Sequence, residues 1–161
     1  MPILHSQYQA TAKTPDGNVI QLPAQVGLAT RGPLVQVTVS LADQIASELI
    51  KQGKTIPPPV QGLALIDTGA GSTCIDEEAA QKLQLPVVNV VSMASASHAS
   101  TKANVYPAKF QITGLAISFN APMSIGAPLA VQGLIALIGR DVLQHCTLIY
   151  NGNLGQISLC I

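Results

Sequence analysis

Charge is scarce in this sequence. Asp, Glu, Lys and Arg supply 10% of its residues against 48% hydrophobic ones, where an ordinary soluble domain carries roughly 25% charged residues. The few charges cancel to a formal net charge of zero, so there is no basic footprint for a phosphate backbone or an anionic lipid surface. That argues against nucleic acid and membrane as partners. Long hydrophobic runs are lacking too, because Gly, Pro, Gln or Asp interrupts every apolar stretch short of the ~20 residues a spanning helix needs. A surface so poor in charge is better explained by an apolar cleft or a partner subunit. The cysteines, Cys74, Cys146 and Cys160, are odd in number and widely spaced, which fits neither a disulfide framework nor a zinc site. They read as buried free thiols, with no metal and no cofactor implied. Met1-Pro2-Ile3-Leu4-His5-Ser6-Gln7 has neither the cationic nor the apolar region of a secretory signal, and the chain reads as cytoplasmic.

A length of 161 residues suits one domain with one core. Val35-Gln36-Val37-Thr38-Val39 alternates apolar and polar residues behind Pro33, the pattern of a half-buried strand. Ser40 with Asp43 forms a capping-box-like start, Leu41, Ile45 and Leu49 recur at a step of four, and Gly53 closes the segment, which predicts a helix over about 41–52. After Pro57-Pro58-Pro59, the run Leu63-Ala64-Leu65-Ile66 reads as an interior strand that ends at Asp67. Asp76 can cap a second helix over about 77–84, with Glu77 and Glu78 in its first turn and Pro86 beyond its end. From Val87 to Phe119 the pattern is again that of strands, broken by a Ser/Ala-rich stretch from Ser92 to Ser100 that reads as a hairpin. Asn151-Gly152 between Thr147–Tyr150 and Gly155–Leu159 is a strong hairpin signal. Val60-Gln61-Gly62-Leu63 recurs as Val131-Gln132-Gly133-Leu134, and each copy leads through an apolar strand to a Gly-containing turn, suggesting two halves on one plan.

Asp67 at the end of a buried strand, followed by Thr68-Gly69-Ala70-Gly71, lies on a tight turn of small residues where backbone and ligand can approach closely. The same residue types build ordinary turns, so the turn alone decides nothing. Together, however, Leu65-Ile66-Asp67-Thr68-Gly69-Ala70-Gly71-Ser72-Thr73 and Ala136-Leu137-Ile138-Gly139-Arg140-Asp141-Val142-Leu143 resemble the two signature segments of retropepsins, the retroviral-type aspartic proteases. The resemblance spans roughly residues 60–160. It implies a mainly β, closed acid-protease barrel with a short helix near 139–145, beside the short helices read above near 41–52 and 77–84, the first lying in an insertion at about 41–54 that viral members lack. It implies Asp67 as the catalytic residue, Thr68, Gly69 and Ala70 as dyad-supporting and substrate-backbone residues, and Gly139, Arg140 and Asp141 as a structural second signature. A flap would span about Ser92 to Val105, with Ala96, Ser97, His98 and Ala99 at its centre. The sequence departs from the viral pattern in placing Gly71 and Ser72 where an acidic residue commonly pairs with the arginine, which leaves Arg140 without an assigned partner. The flap is rich in Ala and Ser rather than Gly and Ile, and the chain ends in a hairpin rather than one short strand.

Aspartic proteolysis needs two carboxylates sharing one proton, and one chain offers one such motif. Gly139-Arg140, not a second Asp-Thr-Gly, stands at the matching place of the other half. A homodimer is therefore expected, hydrolysing a peptide or protein substrate with water activated between two Asp67 residues. The competing reading from another class is a peptide-binding or assembly module that keeps this fold without turnover. A phosphate-binding ATPase loop is disfavoured, since the chain has neither the length nor a Lys-bearing Gly-rich loop. Ser92, Ser95, Ser97 and His98 lack the fixed geometry that nucleophilic catalysis requires, and His145-Cys146 has no further ligands at metal spacing.

Overall fold

The computed structural model describes residues 2–95, 98–115 and 118–161, with the backbone alone at residues 10, 94–95 and 98–100. The first half of the chain holds β1 (Ile3–Gln7), β2 (Ala10–Lys13), β3 (Val19–Leu22), α1 (Ala24–Arg31), β4 (Leu34–Leu41), α2 (Asp43–Lys51), β5 (Val60–Ile66), β6 (Cys74–Asp76) and α3 (Glu77–Lys82). The second half holds β7 (Asn89–Ser95), β8 (His98–Ile112), β9 (Ser118–Ala127), a 3-10 turn at Ala130–Gln132, β10 (Ala136–Ile138), α4 (Arg140–Leu143), β11 (Thr147–Asn151) and β12 (Gln156–Cys160).

Strict alternation makes β4 a barrel stave: Val35, Val37, Val39 and Leu41 are buried while the residues between them are not. It pairs antiparallel with β5, β5 lies parallel to β10, and β6 joins β10 to β9. The long β8 pairs with β9, then returns through Ala108–Ile112 to β4. Among the described residues this closes a six-stranded barrel, with β7 added along β8. The fold is thus mainly β and closed, as the resemblance implied. Phe110 and Phe119 stack with centroids 5.5 Å apart, and the core fills with Ile75, Ile112, Ala136 and Ile138. A second sheet, ordered β1-β12-β11, is built from the two ends of the chain, and its β11–β12 hairpin is the one expected around Asn151-Gly152. Among the described residues no helix is long and apolar enough to cross a membrane.

Two local expectations need correction, and two elements are new. Ser40 and Asp43 do not form a capping box: β4 runs through Leu41, and α2 begins after Ala42 with no side-chain cap. Asp43 instead binds Lys109 Nζ at 2.7 Å and Asn120, and the lysine holds its carboxyl below the usual carboxylate range, helped by Asn120. The tetrapeptide repeat does not mark equivalent positions either, because Val60–Leu63 is strand while Val131–Leu134 is turn. Strand pairing aligns the next three residues, Ala64-Leu65-Ile66 with Ala136-Leu137-Ile138, the same tripeptide twice. Finally, the hairpin of β2 with β3 and the helix α1 have no counterpart in the sequence reading.

Asp76 caps α3 as expected, with Oδ2 accepting from the N–H of Glu78 and Ala79. It does more: Oδ1 accepts from the N–H of Leu129 at 2.9 Å and Ala130 at 2.8 Å, tying the distant 3-10 turn to the start of α3. The residue is 4% exposed, so losing the carboxylate strands buried donors besides removing a cap. Asp76→Ala should cost about 3 kcal/mol, measured as a lower urea midpoint at unchanged slope.

Candidate active site

Strand β5 divides its side chains between two apolar clusters. Ala64 and Ile66 enter the main core, while Leu63 and Leu65 turn to a second cluster around Cys74, Leu129 and Leu134, joined by Leu34, Met93 and Leu137. Alternation carries Asp67 to the Leu63 and Leu65 side as the strand ends. The Asp67 N–H still donates to the Ile138 carbonyl at 3.0 Å, continuing the β5–β10 pairing by one residue. Its Oδ1 then accepts from the N–H of Gly69 at 2.8 Å and of Ala70 at 3.2 Å. A Cβ on Gly69 would stand 3.1 Å from that oxygen, so a residue without a side chain suits this turn. Oδ2 makes no hydrogen bond among the described residues. Asp67 is half-buried, and Thr68 and Gly69 are exposed.

Gly139 occupies the place on β10 that Asp67 occupies on β5, and there it crosses the backbone of the first loop. A Cβ at Gly139 would lie 2.5 Å from the Ser72 carbonyl carbon and 2.6 Å from its oxygen. The requirement is for space, since its φ of -88° is open to any residue. Its N–H donates to Thr73 Oγ1 at 3.2 Å, and that hydroxyl donates to Asp141 Oδ1 at 2.9 Å. The Thr73 N–H donates to Asp141 Oδ2 at 3.0 Å. Asp141 also accepts from the Val142 N–H at the start of α4. Arg140 has its partner in backbone: its N–H donates to Ala70 O at 3.0 Å, and Nη1 donates to Thr68 O at 2.8 Å and Gly69 O at 2.9 Å. Carbonyls of the first loop thus do the work of the acidic residue that viral members place there.

The structure therefore brings Asp67, Thr68, Gly69 and Ala70 together with Gly139, Arg140 and Asp141. The expected flap is a hairpin of β7 and β8, paired from Asn89 with Val105 to Ser95 with His98. His98 and Ala99 open β8, while Ala96 and Ser97 lie outside the described residues. Met93 of β7 packs against the second apolar cluster, which sets this hairpin on the Asp67 side of the barrel. Among the described residues no three His, Cys, Asp or Glu side chains could together hold a metal ion.

Two features escaped the sequence reading. Thr73 is fully buried, and its role depends on Asp141, a residue far along the chain. The second is the stretch Arg31–Leu34, which runs along the outer side of β5: Leu34 pairs with Leu65, and the Ile66 N–H donates to Pro33 O at 2.9 Å.

Cys74 sits behind the loop with its thiol pushed up to about 11, first by burial and then by the carboxylates of Asp141 and Asp67. At mildly alkaline pH it should stay protonated and escape alkylation by iodoacetamide, as read by mass spectrometry of the folded protein. Gly139→Ala should destabilise the fold by about 3 kcal/mol, with the loss visible in urea unfolding, because the obstacle is main chain.

Residues 60–145, more than half of the chain, match the family described as "gag-polyprotein putative aspartyl protease". Among solved structures, a retropepsin-like aspartic protease from Rickettsia conorii is similar at 14% identity and a TM-score of 0.47, covering 99% of this chain and 94% of that one. The retroviral protease-like domain of Ddi1 from Leishmania major is similar at 16% identity and a TM-score of 0.38, covering 73% of this chain and 81% of that one. No curated protein sequence matches. On the strength of the family match and of the two interlocked signature segments, the chain belongs to the retropepsin-like, gag-polyprotein type of aspartyl protease family.

Proposed function

We propose that this protein is an aspartic endopeptidase whose active form is a homodimer with one Asp67 from each subunit. The observation that carries the reading is the state of the Asp67 carboxyl. One oxygen is fixed by two backbone N–H groups, the other is free of hydrogen bonds among the described residues, and the half-buried side chain stands on a loop whose Thr68 and Gly69 are exposed. A carboxyl presented in this way is suited to meet a second one. Gly139, at the matching position on β10, offers none.

In this reading a water lies between Asp67 and Asp67 of the partner subunit. The ionised carboxylate takes a proton from the water as its oxygen attacks the scissile carbonyl, while the protonated one donates a hydrogen bond to the carbonyl oxygen. The tetrahedral intermediate collapses with proton transfer to the leaving amine, and the pair returns to sharing one proton. The second apolar cluster supports an extended peptide as substrate, because Leu65 and Leu137 flank the loop with apolar surface. Strand β11 supports a second copy as partner: Thr147–Asn151 carries no charge, its outer edge is unpaired among the described residues, and Ile149 and Tyr150 are exposed there.

Incubation with a peptide library from acidic to neutral pH tests this. Wild-type protein should cleave, Asp67→Asn should not at any pH, and the rate should follow a bell that falls when the shared proton is lost or a second is gained. A protein that binds the library equally well as wild type and Asp67→Asn, with no cleavage by either, is the non-catalytic module instead. Activity per chain should also drop on dilution, since half a site does nothing. A rate strictly proportional to concentration down to the lowest measurable level would refute the dimer.

A further inference from the structure

The chain has two arginines, Arg31 and Arg140. Arg140 is consumed by loop carbonyls. Arg31, the last residue of α1, is exposed and makes no ion pair or side-chain hydrogen bond among the described residues. Its neighbours place it. Leu34 pairs with Leu65 and Pro33 O accepts from the Ile66 N–H, so the chain just before them, Gly32 and the helix-ending Arg31, arrives at the end of β5 that leads into Asp67. Gly32 has a φ of 72°, and a Cβ there would stand 2.8 Å from Leu65 Cδ1. The end of α1 is therefore pressed onto β5, and the backbone of Arg31 is held in place.

Beside it opens a cavity of about 240 Å³ lined by Thr30, Arg31, Leu34, Leu65, Gln132 and Leu134. Its walls are the three leucines, its polar groups are a hydroxyl and an amide, and its one charge is the guanidinium. Leu65 precedes Asp67 by two residues on the same side of the strand, about 7 Å along it. A peptide held at Asp67 thus has a neighbouring side chain within reach of this cavity. A side chain complementary to it has a methylene stem to lie on leucine and a planar carboxylate to pair with a guanidinium.

We propose that this cavity is a subsite selecting an acidic side chain, that of Glu, next to the scissile bond, with Arg31 as the specificity-determining residue. The inference rests on the peptide-binding site proposed above. It adds a substrate class to that site.

The test is binding of hexapeptides whose central peptide bond is reduced to CH2–NH, with Glu, Gln, Leu and Lys compared at each position. Because these probes are not cleaved, the outcome is readable whether or not the protein turns peptides over. Cleavage assays separately decide the proteolytic reading. At one position Glu should bind about tenfold more tightly than Gln. Arg31→Gln should abolish that preference, Arg31→Lys should keep part of it, and Arg31→Glu should turn it toward Lys. Equal affinity for Glu and Gln at every position, or a Glu preference that survives Arg31→Gln, overturns the proposal. Arg31 is exposed, so these variants should fold, and an unchanged circular dichroism spectrum checks that they have.

Discussion

Everything around Asp67 depends on one crossing of main chain over main chain, Gly139 against Ser72. The two segments are far apart in sequence, and neither is regular structure for more than a few residues at the contact. What joins them is a small set of polar bonds: the Thr73 hydroxyl, buried, between Gly139 N–H and Asp141, and the exposed Arg140 guanidinium across two loop carbonyls. Backbone groups account for most of the partners, so the loop is held by atoms every residue has. The side chains that remain indispensable are the ones reaching across.

This division explains which parts were legible from sequence. The strand ending at Asp67 and the cap at Asp76 declare themselves locally, through an apolar run and a carboxylate before a helix. The barrel followed from resemblance and from alternation in β4. The beginning of α2 was misplaced because Ser40, a good cap by type, is committed to β4 by its pairing opposite Lys109. Tertiary pairing outweighed a cap of about 1 kcal/mol. Helix α1 was missed because Ala24–Arg31 contains Gly27 and the β-branched Val26 and Thr30 and has little amphipathic pattern. Thr73 and Arg31 are legible only once the strands are paired, since each acts on a partner that the chain reaches much later or much earlier.

The second apolar cluster has a similar dependence on register. Its members come from β4, β5, β6, β7, β9 and β10, one or two from each, and from Leu129 and Leu134 on either side of the 3-10 turn, and none of these strands presents enough apolar surface to define a cleft. A slip of one residue in β5 would send Leu63 and Leu65 into the core and turn Ala64 and Ile66 outward. Register in β5 is fixed on both sides, by β4 and by β10, and the same pairing sets the direction of Asp67 and the position of Arg31.

The repeated Ala-Leu-Ile tripeptide in β5 and β10 gives the crossing at Gly139 a meaning beyond packing. The strands lie side by side and end level with one another, one in a carboxylate and the other in a hydrogen atom. A substitution of Gly139 to Asp looks like the shortest route to two acids within a single polypeptide, yet the main chain of Ser72 fills the space its side chain would need. Under the proposed dimeric reading, this one substitution would not give the subunit a second acid of its own. Tandem duplication, which brings a whole second loop with its own supporting strands, would on that reading join both acids in one chain.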